Sequence, residues 1–227
     1  MVDYEEIPMF MKNEIVAKYH KMLMRKKYIL FFKRVFDLIF SLIMAIILFP
    51  VLITTCIIIK CDSPGKVIFK QKRITQCGKV FDIFKFRTMV EDAEKIGTQV
   101  TTGDDPRITR CGKWLRKYRI DELPQIFNII RGELSFVGPR PEVQKYVLQY
   151  TDEMLATLLI PAGVTSLASI IYKDESKMLE NANNPDEVYV KEVLPQKMKY
   201  NIEYIEKMSI AYDIKIILKT ICAVLKK

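Results

Sequence analysis

Apolar residues run from Leu38 to Ile59 without a single charge, as "LIFSLIMAIILFPVLITTCIII". A run of about 22 such residues is long enough to cross a hydrocarbon core as one helix, and too long and uniformly apolar for an ordinary globular core helix. Both flanks are basic: Arg25, Lys26, Lys27, Lys33 and Arg34 precede it, and Lys60, Lys66, Lys70, Lys72 and Arg73 follow it. Basic flanks mark cytoplasmic ends, and one span cannot put both ends on the same side. Pro50 lacks a backbone N–H and its ring crowds the preceding turn, so a kink near Phe49 is expected. The arms on either side, about 12 and 9 residues, reach only ~18 and ~14 Å as helix, about half of a hydrocarbon core. A bent, re-entrant helix that enters and leaves by the cytoplasmic face meets all three observations; a kinked but spanning helix is the alternative.

Elsewhere the periodicity changes. Ile15, Tyr19, Met22 and Leu23 recur at helical spacing beside Lys12, Lys18, Lys21, Arg25, Lys26 and Lys27, which reads as a cationic amphipathic helix in a membrane interface, or alternatively as a solvated helix or frayed arm. His20, with no partner motif, reads as interfacial or solvated. After the anchor, "SPGKVIF" is a turn leading into a short alternating stretch, and "QCGKVFDIFKFRTM" is a turn and then a strand. The chain becomes helical near Trp114, and "LPQIFNIIRG" places Leu123, Ile126, Phe127 and Ile130 on one helix face before Gly132 ends it. "SFVGPRPE" reads as a rigid loop, "IPAGVTSLASIIY" as a turn plus a strand or short helix, and Tyr200 to Val224 as an amphipathic helix ending in Lys226 and Lys227. The expected fold is mainly α with a small β-hairpin or sheet element (α+β), membrane-associated through one re-entrant kinked helix and interfacial amphipathic helices.

With 227 residues the chain can hold one good core plus an anchor. A net charge of +9 favours anionic head groups, nucleotides, phosphates or nucleic acid as partners. A nucleic-acid binder accounts for the charge but leaves the apolar run unexplained, and no DNA- or RNA-binding signature is present, so nucleic acid is set aside. The five cysteines (Cys56, Cys61, Cys77, Cys111 and Cys222) are scattered with no Cys-x-x-Cys pair, and His20 is the one histidine. That argues against a zinc site or a disulfide scaffold and for a reducing compartment. The apolar run begins far from Met1 without a small-residue cleavage signature, so it is expected to be retained rather than removed as a signal peptide.

Three stretches carry candidate chemistry. Period-2 geometry over Phe81 to Arg87 puts Phe81, Ile83, Lys85 and Arg87 on one face and Asp82, Phe84 and Phe86 on the other. Lys85 and Arg87 together suit a diphosphate, unless they simply line a solvated strand edge. In "RKYRIDELPQ", Pro124 in a first helical turn makes Asp121 an expected N-cap with Glu122 entering that turn. Adjacent carboxylates at a helix start, with Arg116, Lys117 and Arg119 upstream, can hold a divalent cation and attack or deprotonate a phosphoryl centre; the competing reading is a cap and a dipole-compensating acid. In "VGPRPE", Arg140 sits between two prolines whose fixed φ restricts where the guanidinium points, which either prepositions it for an anion or makes a plain turn.

In order along the chain, "KRVFD", "SPGKVIFKQKR", "FKFRTM", "DPRITRCGKWLR", "DELPQIFNIIRGELSFVGPRPE" and "IEYIEKMSIAYDIKIILKTI" resemble the bacterial sugar transferase family, the small monotopic polyprenyl-phosphate phosphoglycosyl transferases. The resemblance runs from about Lys33 to Val224. It implies an enzyme that moves a sugar 1-phosphate from a UDP-sugar to undecaprenyl phosphate, releasing UMP, with Mg2+ as cofactor, as the first membrane step of a bacterial surface glycan. Carried onto this chain, Asp121 is the nucleophile that forms a covalent phosphosugar intermediate. Glu122 assists with the metal or the acceptor proton, Asp121 and Glu122 form the metal site, and Lys85, Arg87 and Arg140 bind phosphate and nucleotide. The implied organisation is a basic amphipathic segment over 1–28, the re-entrant helix with its kink at Pro50 over 29–60, and a catalytic domain over 61–227 on the cytoplasmic face of the inner membrane. Anionic lipids are expected contacts and a homodimer is compatible with the pattern. A non-catalytic membrane adaptor of the same fold, binding glycan-assembly partners, is the alternative; the intact dyad and "GPRP" argue against it. Three departures stand out: Phe49-Pro50 where relatives often have Ser-Pro, Asn201 in "NIEY" where many have Asp, and Ala162, Ser166 and Ser169 within a stretch usually written "PGITGxxQ".

Overall fold

The structure is a computed structural model that describes residues 2–93, 105–173, 175 and 184–225. Helix α1 (Glu14–Arg25) begins where the Asn13 side chain accepts the Val16 N–H at 2.7 Å, which satisfies one of the free donors of the first turn. Val16, Tyr19 and Leu23 are buried on one face and share a core with Leu155, Leu159, Ile202 and Ile205. Of the stripe expected in a membrane interface, Tyr19 and Leu23 are thus spent inside the protein and Met22 packs against the same core, while Ile15 stays exposed. The apolar partner of the buried face is contributed from more than a hundred residues away, where local periodicity cannot reveal it. His20 is likewise buried rather than solvated, with Nε2 at 2.9 Å from the Val2 carbonyl oxygen.

Helix α2 (Lys27–Asp62) contains the whole apolar run, with Pro50 inside it. Hydroxyls along the helix turn inward onto its own backbone: Ser41 donates to the Leu38 carbonyl at 3.0 Å, Thr54 to Pro50 at 2.9 Å and Thr55 to Val51 at 2.7 Å. No hydroxyl of these three is left needing water, as an apolar medium requires. The middle of the helix is bare: Ile46 is 77% and Phe49 58% exposed. Its two ends are not. Near the start, Arg34 donates to the carbonyls of Ile129 and Ile130 at 2.6 and 2.9 Å, and the Asp37 carboxylate accepts the Phe136 N–H at 3.1 Å. Near the end, Leu52 and Ile59 are buried against Phe86 and Leu115.

Strands β1 (Ile68–Ile74) and β2 (Val80–Phe86) form the expected antiparallel hairpin, Ile68 opposite Phe86 and Ile74 opposite Val80. Phe81 and Ile83 face Ile129, Leu134 and Ala162, whereas Phe86 faces α2, so both faces of β2 are covered. Helix α3 (Arg110–Lys117) is capped by Thr109, whose hydroxyl oxygen accepts the Gly112 N–H at 3.0 Å. Helix α4 (Gln125–Arg131) stops at Gly132, which takes the left-handed conformation at φ 82. Its buried residues are Gln125, Ile126, Asn128 and Ile129, while Phe127 is 43% exposed. The inward face is thus rotated from the one expected. Asn128 causes this by pairing with β2: its Oδ1 accepts the Phe84 N–H at 3.0 Å and its amide donates to the Asp82 carbonyl at 2.8 Å.

Strand β3 (Leu134–Val137) takes up the first three residues of the stretch read as a rigid loop. After it come the short helices α5 (Gln144–Val147) and α6 (Asp152–Leu155), and then β4 (Ala162–Thr165), which pairs parallel to β3. Gly138 and Gly163 lie back to back here: a Cβ on Gly163 would come within 2.1 Å of the Gly138 nitrogen. Helix α7 (Leu167–Ile171) follows directly, so "IPAGVTSLASIIY" is a strand and then a helix. Helix α8 (Pro185–Val188) runs through a π-helical turn, Tyr189–Val193, into α9 (Leu194–Lys207).

The single C-terminal helix expected over Tyr200 to Val224 is two, because Met208 turns extended (ψ 122) and Ser209 starts α10 (Ile210–Leu225) by accepting the Tyr212 N–H at 3.2 Å. Lys226 and Lys227 lie outside the described residues. Inward, α10 carries Ile216 and Asp213, the latter paired with Lys33 of α2 at 2.6 Å; outward, Ile210, Ile214, Leu218 and Ile221 form an exposed apolar stripe.

Candidate active site

Arg119 adopts the left-handed conformation at φ 57 and breaks the chain direction after α3. A 3-10 turn, Ile120–Glu122, then carries Asp121 and Glu122 into α4 through Leu123 and Pro124, both in the right-handed helical region. Asp121 is therefore not the N-cap expected of it; Pro124 occupies that position, and no side chain caps the helix. Asp121 is buried, at 9% exposure, and its Oδ1 has no hydrogen-bond partner among the described residues.

Glu122 is the opposite case. Its Oε1 accepts Lys85 Nζ of β2 at 3.2 Å and the Arg140 Nη2 from the loop after β3, and Arg119 Nη1 stands 3.9 Å away. Three cations from three parts of the chain converge on one carboxylate oxygen. Burial alone would push the Glu122 carboxyl up, but Arg140, Lys85 and Arg119 outweigh it and hold the group well below the usual carboxylate range. Asp121 moves the other way: burial, reinforced by the neighbouring Glu122 charge, raises it above the ordinary aspartate value. Adjacent carboxyls whose environments drive them apart are suited to different tasks. Glu122 is committed to gathering cations, and Asp121 keeps an uncommitted oxygen.

The loop holding Arg140 is tied on both sides. The Gly163 N–H donates to the Pro139 carbonyl at 2.8 Å, Arg73 donates to the Pro141 carbonyl at 3.2 Å, and the Ile74 N–H donates to the Glu142 carbonyl at 2.9 Å. Arg140 Nη1 also reaches the Val164 carbonyl at 3.4 Å. Of the residues singled out from sequence, Asp121, Glu122, Lys85 and Arg140 are brought together. Arg87 is placed differently: it lies one residue beyond β2, and its guanidinium donates to the Ser63 carbonyl at 2.7 Å, to Ser63 Oγ at 2.9 Å and to the Pro64 carbonyl. It fastens the end of α2 to the hairpin and makes no contact with Glu122 among the described residues. Pro50 lies inside α2 and is exposed. Asn201 is buried in α9 with its amide on Met198 Sδ at 3.5 Å. Arg73, which sequence reading counted only as flank charge, joins the site by holding the Arg140 loop; its place opposite Phe81 in the hairpin was the available signal.

Among the described residues no group of three or more His, Cys, Asp or Glu side chains is disposed to hold a metal ion. The dyad offers two carboxylates, one with an unpartnered oxygen. That donor set suits a hard cation that keeps most of its waters and takes its remaining ligands from substrate phosphates.

Comparison with known proteins places residues 28–227 under the family model described as bacterial sugar transferase. The chain is 33% identical over 198 residues to the UDP-N-acetylgalactosamine-undecaprenyl-phosphate N-acetylgalactosaminephosphotransferase of Aeromonas hydrophila, covering 86% of this chain and 44% of that protein. It is 34% identical over 194 residues to the UDP-glucose:undecaprenyl-phosphate glucose-1-phosphate transferase of Escherichia coli (strain K12), covering 83% and 39%. A protein of the same name from Caulobacter vibrioides is 34% identical over 198 residues, covering 85% of this chain and 69% of that protein. The chain thus spans less than half the length of the first two of these relatives.

Proposed function

The chain belongs to the bacterial sugar transferase family, and from that premise we propose that it transfers a sugar 1-phosphate from a UDP-sugar to undecaprenyl phosphate, releasing UMP and leaving a polyprenyl-diphosphate-linked sugar. One observation carries this reading: a buried aspartate with an uncommitted carboxylate oxygen stands beside a glutamate on which three cations converge.

In the proposed mechanism an Asp121 carboxylate oxygen attacks the sugar-bearing phosphorus of the UDP-sugar. The bond from that phosphorus to the bridging oxygen breaks, and its electron pair leaves with UMP. The phosphosugar is then held on Asp121 as an acyl phosphate. A phosphate oxygen of undecaprenyl phosphate attacks the same phosphorus, the bond to Asp121 breaks, and the carboxylate is restored. An anion must approach an anion in both steps, so positive charge has to be in place beforehand. Lys85 and Arg140 supply it, and Glu122 keeps them at the site while the substrate is absent. Arg87 acts at one remove, by holding the Ser63–Pro64 turn against the hairpin. Asp121 and Glu122 are the residues that would hold Mg2+, which when bound would add charge neutralisation at the diphosphate.

The way α2 is held supports a membrane arrangement in which both of its ends lie on one side. A straight helix would separate Arg34 from Ile59 by about 37 Å, more than a hydrocarbon core. Yet Arg34 caps α4 and Ile59 packs under Phe86 and Leu115, both on the same folded body. Contacts at both ends with one body support an anchor that enters and leaves by a single face, with Ile46 to Phe49 deepest. The exposed stripe of α10, flanked by Lys215 and Lys219 and joined to α2 through Asp213–Lys33, supports a second seat at the interface. A soluble nucleotide sugar and a lipid phosphate then meet Asp121 at the cytoplasmic surface of the inner membrane. This role replaces the one expected for α1, whose apolar face is already buried.

The decisive experiment is UMP release by the purified protein in detergent with Mg2+, from a panel of UDP-sugars that includes UDP-glucose and UDP-N-acetylgalactosamine. Turnover is expected only when undecaprenyl phosphate is supplied, and only from the donor this chain accepts. No UMP from any donor, or full activity in Asp121→Asn, would sink the mechanism.

A further inference from the structure

Behind the Arg140 loop lies a buried polar cluster to which the phosphoryl chemistry assigns no task. Glu142 Oε1 accepts the Tyr189 hydroxyl at 2.5 Å and Lys197 Nζ at 3.3 Å. Lys197 Nζ also lies 2.8 Å from the Tyr189 oxygen and 3.0 Å from Glu175 Oε2, and Arg73 Nη1 stands 3.8 Å from Glu142 Oε2. Glu142, Tyr189 and Lys197 are 6%, 3% and 5% exposed. Taking such charges out of water is costly, and well-packed apolar side chains would serve stability as well or better.

Direction, rather than stability, is what the cluster provides. Tyr189 sits in the π-helical turn between α8 and α9, and Lys197 lies two turns further on in α9. Both point back to Glu142, two residues from Arg140. On that side Arg73 also grips the Pro141 carbonyl, and Ile74 the Glu142 carbonyl. On the other side Gly163 grips Pro139. With φ fixed at both prolines, holding positions 139, 141 and 142 leaves Arg140 little freedom but its own side-chain rotamers.

We propose that Tyr189 and Lys197 are positioning residues for the reaction: through Glu142 they hold the Pro139–Glu142 segment so that the Arg140 guanidinium meets the donor diphosphate in register. This rests on the reading of Arg140 as a phosphate contact. Small displacements of a phosphate-orienting group are costly, since about 1 Å can cost 10²-fold in rate.

The test is a double-mutant comparison on the full chain in detergent, reading kcat and KM for UMP release with the accepted UDP-sugar. Tyr189→Phe, which removes one oxygen and keeps the ring, and Lys197→Met are each made in the wild-type and the Arg140→Ala backgrounds. Each is expected to lower kcat/KM about tenfold in the wild-type background and less than about twofold once Arg140 is gone, because residues acting through one another are not additive. Equal losses in both backgrounds would overturn the proposal and leave the cluster a purely structural one. An Arg140→Ala enzyme with unimpaired kcat/KM would overturn it too, and would locate the failure in the role given to Arg140 rather than in the clamp.

Discussion

Lys85 Nζ lies 3.2 Å from Glu122 Oε1, the oxygen to which Arg140 also donates, so a strand and a loop far apart in sequence deliver their cations to one carboxylate. Replacing Glu122 by Gln removes the charge that collects them. The expected loss in kcat is about 10²-fold, the scale seen when a single preorganised electrostatic partner is removed from a reaction centre. Burst measurements of UMP release check this: Glu122→Gln should slow the burst without eliminating it.

Asp121→Asn should eliminate the burst altogether. With UDP-sugar and no acceptor, intact-protein mass spectrometry of the wild type is expected to show a phosphosugar adduct that Asp121→Asn lacks. An adduct retained in Asp121→Asn but lost in Glu122→Gln would exchange the two roles.

The pH profile follows from the same geometry. In the proposed mechanism attack needs the ionised form of Asp121, and burial together with the Glu122 charge raises this carboxyl above the ordinary value of 3.8. In the Mg2+-free protein an NMR titration of the Asp121 carboxyl should therefore show protonation above the ordinary aspartate range. Glu122→Gln removes the like charge and should move that titration downward, and added Mg2+ should lower it too. A midpoint at or below 3.8 in the metal-free wild type would contradict the assignment.

What was legible in the sequence is what depends on neighbours along the chain. Alternation over Phe81 to Phe86 disclosed the hairpin, and the same alternation aimed Lys85 to the face that meets Glu122. Adjacent carboxylates in "DELPQ" and an arginine locked between prolines marked Asp121, Glu122 and Arg140 as candidates, and only the resemblance to a family chose the phosphoryl reading over a plain cap and turn. Readings failed where a distant partner decided the outcome. Asp121 is not a cap because Arg119 turns left-handed and starts a 3-10 turn one residue early. Tyr19 and Leu23 of α1 turn inward because Leu155 and Ile205 meet them. Arg87, whose phosphate role stays a proposal, donates to Ser63 at the end of α2. No local pattern carries that information.

Lys33 and Asp213 are a buried ion pair at 2.6 Å, and Asp213 also accepts the Tyr204 hydroxyl at 2.7 Å. Lys33→Met leaves a buried carboxylate without its cation, and the expected cost is about 3–5 kcal/mol. Lys33→Met with Asp213→Leu should recover part of that loss, because the Asp213 charge is removed as well, while buried Asp37 still loses its interaction with Lys33. Thermal unfolding in one detergent compares the three proteins. A single variant as stable as the wild type would show that the pair does not hold α10 to α2.

The topology can be tested at residues that flank the anchor. Tyr28 is 68% exposed one residue into α2, and Cys61 is exposed at its far end. In a background where the other four cysteines are replaced by serine, Cys61 alone reports one end. Cys61→Ser with Tyr28→Cys reports the other. If the helix enters and leaves by the cytoplasmic face, a membrane-impermeant maleimide added to intact cells should label neither site, and both should label once the membrane is opened. A true span would place one site outside, and that site alone would label in intact cells. The span would also demand that the contacts of Arg34 with Ile129 and of Ile59 with Phe86 not coexist, since they would lie on opposite sides of a layer about 30 Å thick. Labelling at one end only would therefore undo the membrane arrangement and the packing of α2 together, whereas protection at both ends would place Asp121 within reach of a soluble donor and a lipid acceptor at one surface.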